Sequence, residues 1–85
     1  MKVVVDIKRK ILSAGGKLHA DGEKLLLDDG SKQADLWGGG IDLETNEIDC
    51  DSMINLRPGQ GNSSREVLDQ SVRKEIEIVI RGLLK

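Results

Sequence analysis

The sequence predicts an α+β domain: a four-stranded, mainly antiparallel sheet with two helices on one face, in the order β-β-α-β-β-α. Three observations carry this expectation. β-Branched or alternating runs such as "KVVVDIK" and "EIDCDSMINLR" have the two-residue period of strands. Two other segments place apolar residues at helical spacing. Glycine- and asparagine-containing turns separate these runs.

In "KVVVDIK", Val3, Val5 and Ile7 share one face, and Lys2, Val4, Asp6 and Lys8 share the other. "KRK" turns the chain into "ILSAGG", a returning strand that ends in a glycine pair. In "KLHADGEKLLLDDG" the residues Leu18, Gly22, Leu25 and Leu26 recur at helical spacing, and Gly30 is placed to end the helix. "GGGIDLET" predicts a third strand and "TN" a hairpin turn. "EIDCDSMINLR" predicts the fourth and longest strand, with Ile48, Cys50, Ser52, Ile54 and Leu56 on one face. Val72, Ile76, Val79, Ile80 and Leu83 form the stripe of a final helix, with Asp69 favoured over Ser63 as its N-cap. "VDIKRKIL" and "IDLETNEI" echo each other, which raises an internal duplication as a hypothesis.

Helices on one face would leave the other open, carrying Asp6, Asp42, Asp49, Asp51, Asn55 and Arg57 beside Val4 and Met53. Like charges on neighbouring strands repel. The expected resolution is a wet face partly neutralised by Lys2, Lys8 and Arg57, in preference to a bridging metal ion.

A chain of 85 residues makes one domain, residues 1–85. The core must come from 25 Ile, Leu and Val residues, because Trp37 is the only aromatic. A domain this small buries only about 60–65% of its unfolded surface, so self-association into a homo-oligomer is expected. A net charge of −2 lacks the basic excess that nucleic acid requires. No apolar run reaches the length of a membrane span, and one cysteine allows no internal disulfide. The expectation is a cytoplasmic protein with no cofactor and no nucleic-acid or membrane partner.

Among chemically capable residues, His19 opens "HADGE", where Asp21 and Glu23 offer it a carboxylate, or simply suit a helix N-terminus. Cys50 lies on an apolar strand face between two aspartates and reads as core. Trp37, ahead of three glycines, reads as a plug at the sheet end or as a stacking platform. "RPGQGNSSR" has the ingredients of an anion cradle without any strict phosphate motif. Arg57 and Arg65 bring charge, Gln60, Asn62, Ser63 and Ser64 bring hydrogen bonds, and glycines allow a nest of N–H groups.

The segments "VVVDI", "GGKLHAD", "DGSKQADLWG" and "DSMINLRPGQGNSSREV" resemble those of a family of small prokaryotic proteins known only as a domain of unknown function. The resemblance implies a compact cytosolic protein and transfers no activity, cofactor or catalytic residue. Relatives in that family carry a leader before the first strand and a longer connection after "DLWG", where this chain has the short "GGIDLETNEI".

The reading that uses these residues best is a non-catalytic binding module for a small anionic ligand or a protein partner. Its site would comprise Arg57, Gln60, Asn62, Ser63, Ser64, Arg65, Trp37 and His19. One alternative is a small enzyme using His19 with Asp21 or Glu23 as acid and base. The other is a structural subunit of a homo-oligomer.

Overall fold

A computed structural model describes residues 1–84. Strand β1 (Lys2–Asp6) and β2 (Ile11–Ala14) form the first hairpin, followed by α1 (His19–Asp28), β3 (Leu36–Ile41), β4 (Ile48–Asp49) and α2 (Gln70–Leu83). Short 3₁₀ turns occupy Gln33–Asp35, Met53–Asn55 and Pro58–Gln60. All strand pairs are antiparallel, and the sheet order is β2-β1-β3-β4. The α+β class, the four-stranded sheet and the element order are those the sequence predicts.

The helices do not share a face. Val3 and Val5 pack with Ile76, Val79 and Ile80 of α2, whereas Val4, between them, packs with Leu26 of α1. Successive strand residues point to opposite sides, so α1 and α2 cover opposite faces of the sheet. Connectivity explains the arrangement. β2 and β3 run in the same direction on either side of β1, so α1 must cross over one face to join them. The chain after β4 then wraps the sheet edge: Ile54 joins the α1-side cluster, while Cys50 and Val67 join the α2-side cluster.

Two expectations fall with this. Each face of the sheet carries a helix, and Asp6, expected on an open acidic face, is buried beneath the α1 layer. The halves are not superimposable copies either. The rotation that maps β1–β2 onto β3–β4 about the β1–β3 junction would keep both helices on one face.

Local signals were read more faithfully. α1 ends in a Schellman arrangement, with the N–H of Ser31 donating to the Leu26 carbonyl at 2.9 Å and that of Gly30 to Leu27 at 3.1 Å. Gly30 has φ +100, so its lack of a Cβ is what permits the reversal. Asp69 caps α2, its carboxylate accepting the Ser71 N–H at 2.8 Å. Ile76, Val79 and Ile80 are buried as the stripe requires, although Leu83 stays exposed.

Asp6 organises the first hairpin. Its Oδ1 accepts the N–H groups of Lys8 and Arg9, each at 2.9 Å, and its Oδ2 accepts the Ser31 hydroxyl at 2.6 Å. The Ser31 oxygen in turn accepts from Arg9 at 2.8 Å. Burial pushes the Asp6 carboxyl upward, but these hydrogen bonds and the Arg9 charge outweigh it and hold it below the usual range. The folded value thus lies below the unfolded one of about 3.9. Its stabilising contribution is complete above that pH and is lost as pH falls through the folded value. Replacing Asp6 by Ala should cost roughly 2–4 kcal/mol in urea unfolding at neutral pH. Asp6→Asn, which keeps the acceptor for the two main-chain donors, should cost less and flatten stability against pH below about 4.

Candidate functional site

The longest expected strand contributes only Ile48–Asp49. β4 pairs Asp49 with Gly40, and continuing that register by two residues would bring Asp51 opposite Gly38. The chain leaves the ladder instead. Asp49 Oδ1 accepts the Asp51 N–H at 3.2 Å, and Ser52 Oγ accepts the Ile54 N–H at 3.3 Å. Such short side chains offer the backbone an alternative to the strand. Residues 50–52 pair with 65–67 instead, through Ser52 N–H to Arg65 and Val67 N–H to Cys50.

The open edge of β3 is completed by side chains. The fully buried Asn55 accepts the Gly38 N–H through Oδ1 at 2.8 Å and returns a hydrogen bond from Nδ2 to the Gly38 carbonyl at 2.9 Å. The same Nδ2 reaches the carbonyls of Cys50 and Arg65, at 3.2 and 3.0 Å. Further along, the Arg57 guanidinium donates to the carbonyls of Leu36, Gln33 and Ile54. An amide and a guanidinium thus stand where a strand's backbone would.

The glycine run makes this approach possible. A Cβ on Gly38 would lie 2.5 Å from Ser52 Cβ, and one on Gly39 would lie 2.4 Å from the Asp49 carbonyl oxygen. The glycines make room for the returning chain.

The predicted site residues therefore divide. Trp37 is core, 6% exposed, with the Arg57 guanidinium 4.5 Å above its ring centroid. Gln60 sits beside Arg57 and clamps the Ala34 carbonyl at 3.3 Å. Burial draws the Arg57 pKa down, opposed by the charge of Glu23, and the group remains a cation committed to carbonyls. Asn62 is buried; its Nδ2 donates to the carbonyls of Asn55, Ser64 and Glu66, and its Oδ1 accepts the Leu68 N–H at 2.9 Å. Ser64 Oγ accepts the Glu66 N–H at 3.1 Å, and Ser63 is exposed. Within the loop, the N–H groups of Arg57, Gln60, Gly61 and Asn62 are bonded internally. These groups hold the loop together.

His19 and Arg65 come together elsewhere. They line a broad cleft of about 1130 Å³ between the start of α1, the β3–β4 hairpin and the 49–54 segment. His19 Nε2 is 2.6 Å from the Gly39 carbonyl, which can only accept, so Nε2 carries the proton. Its partner is a main-chain oxygen, with neither Asp21 nor Glu23 in that role. Five exposed carboxylates line the cleft (Asp42, Glu44, Asp49, Asp51 and Glu66) against the side-chain cations Lys2 and Arg65. Arg65 is itself paired with Asp51 at 3.2 Å. Four apolar side chains protrude there: Met1, Leu18, Leu43 and Met53, 43%, 61%, 63% and 62% exposed. Among the described residues no group of three or more His, Cys, Asp or Glu could hold a metal ion. Burial raises the Cys50 thiol pKa, and the thiol is enclosed in the core.

The model of the family described as "Protein of unknown function (DUF5674)" matches residues 1–83. The chain belongs to that family. No curated protein and no solved structure matches it. The family description brings no activity, so the case for a site rests on geometry.

Nothing local in the sequence marks Leu43, Met53 or Glu44 as site residues. Only the fold sets the hairpin beside α1. Alternation places Asn55 on the outward face of a strand, whereas the Ser-x-x-Asn spacing is the signal of a capped turn. Replacing Asn55 by Ala would orphan the Gly38 N–H and carbonyl, while the Cys50 and Arg65 carbonyls keep only their bonds from the Val67 and Ser52 N–H groups. It should cost roughly 3–5 kcal/mol, a large fraction of the stability of a domain this small. Urea unfolding checks this, and a change below about 1 kcal/mol would refute the role assigned to the amide.

Proposed function

We propose that this protein is a binding module without catalysis of its own, and that its cleft docks a protein segment bearing both apolar and cationic side chains. The observation that carries the reading is the cleft's composition: four protruding apolar side chains rimmed by five carboxylates. Exposed apolar clusters with a polar rim are characteristic of docking surfaces. The charge favours a Lys- or Arg-containing partner over a small anion, which the carboxylates would repel. The 57–62 loop also offers an anion little, since the Arg57 guanidinium and the N–H groups of Arg57, Gln60, Gly61 and Asn62 are already engaged. The enzyme alternative draws on His19, whose protonated nitrogen is tied to Gly39.

An amide-resolved NMR titration with a short alternating Lys/Leu peptide should shift His19, Gly40, Leu43 and Met53 and leave Gly59 and Gly61 unmoved. Added salt should weaken the binding. Inorganic phosphate should shift none of the cleft residues. Met53→Ala should keep the fold and weaken peptide binding by about tenfold, the equivalent of about 1.4 kcal/mol. A cleft silent to the peptide, or phosphate shifts at residues 57–65, would overturn the reading.

A further inference from the structure

The second feature that the fold leaves unused is the outer edge of β2. In the β1–β2 pair, Gly15 N–H donates to the Lys2 carbonyl at 2.9 Å, which sets the alternation of the ladder. Ile11 and Ser13 therefore turn their main-chain groups toward β1, while Leu12 and Ala14 turn theirs away from the sheet. β2 is the terminal strand, and among the described residues nothing pairs with that side. The usual protections of an edge are missing from "ILSA", which has no charge, no proline and no bulge. The nearest lysine, Lys10, is drawn off into an ion pair with Glu75 at 3.2 Å.

The helix above this edge adds an apolar contact. α1 lies over β1 and β2, with Leu26 pointing to the sheet. Each helical residue turns roughly 100°, so Glu23 lies on one flank of Leu26 and Leu25 on the other. Glu23 faces the Arg57 charge, on the β3 side. Leu25 therefore flanks the β2 edge, and it is 62% exposed.

We infer that the β2 edge pairs with the β2 edge of a second copy of this chain, giving a two-fold dimer whose sheet runs on through eight strands. The occupant follows from self-complementarity. With the axis at Ser13, Leu12 faces Ala14 of the second copy and each pair exchanges two main-chain hydrogen bonds. Ser13 meets its equivalent, and Lys10 falls opposite Gly16, so the two lysines are kept apart. The edge is uncharged, which suits an equally uncharged strand better than the charged segments found elsewhere on this chain. Leu25 of each copy closes over the junction.

The contact is small and its affinity correspondingly modest, so the test spans concentration. Sedimentation velocity from micromolar to millimolar protein should show the mass doubling. Over the same range, hydrogen exchange should slow at the Leu12 and Ala14 amides and stay constant at Ser13, which is already bonded to β1. Ala14→Pro removes only an outward N–H from an exposed residue and should yield a folded monomer. Should that variant fail to fold, Leu25→Lys provides the same readout from a surface position. A chain that stays monomeric at millimolar concentration overturns the inference. So does a dimer in which the Leu12 and Ala14 amides exchange freely, or one that survives either substitution. No residue of β2 lines the cleft, so the peptide titration and the dimer test read different residues and succeed or fail independently.

Discussion

The side-chain amide of Asn55 holds the second half of the molecule to the first. β3 is the central strand that must be satisfied on both sides, and β4 covers only its far end. At Gly38 the donor and acceptor that a neighbouring strand would supply come from one carboxamide, which presents N–H and C=O in the spacing of a peptide unit. Because Asn55 is fully buried, water cannot substitute for it, and a lost partner leaves main-chain groups unpaired in the interior. The position tolerates little else: Gln is too long for the site, and Asp lacks the donor.

That one constraint accounts for much of the surrounding sequence. The amide can reach β3 only if the chain after β4 lies close against it, and Gly38 and Gly39 provide the clearance. The loop must hold its shape while doing so, and Asn62 repeats the device inside it, bonding three carbonyls and one N–H. Arg57 then closes the remaining edge and lies over Trp37. A polar, glycine-containing segment that looks on paper like a ligand cradle is, in the fold, a strut.

The two proposed surfaces lie where this scaffold stops. The carboxylates of Asp49, at the end of the ladder, and Asp51, just beyond it, face the cleft beside α1, joined there by the hairpin's Leu43 and the turn's Met53. At the opposite edge of the sheet, β2 keeps its unpaired backbone. A domain with one aromatic residue and a modest aliphatic core has little stability to spare. Both proposed surfaces lie at the margins of the sheet, and the centre is left to packing.

The sequence by itself determined the elements whose causes are local. The β-branched run of β1, the Gly30 reversal, the Asp69 cap and the stripe of α2 each follow from spacing and residue chemistry within one or two turns. It also determined the α+β class and the antiparallel sheet, and it marked Cys50 as core. Only the tertiary structure decided the rest. The side of the sheet on which a helix lies depends on how strands are ordered, which the period of a strand does not record. "CDSMIN" alternates like a strand, yet buried side-chain hydrogen bonds stabilise it as a turn, and that competition is settled by partners far along the chain. Of the residues first read as a site, His19 and Arg65 reach a common cleft, whereas Arg57, Gln60, Asn62 and Trp37 are bound up in the fold. A polar side chain serves a ligand or the backbone according to which acceptors surround it, and those acceptors are assembled only when the chain folds.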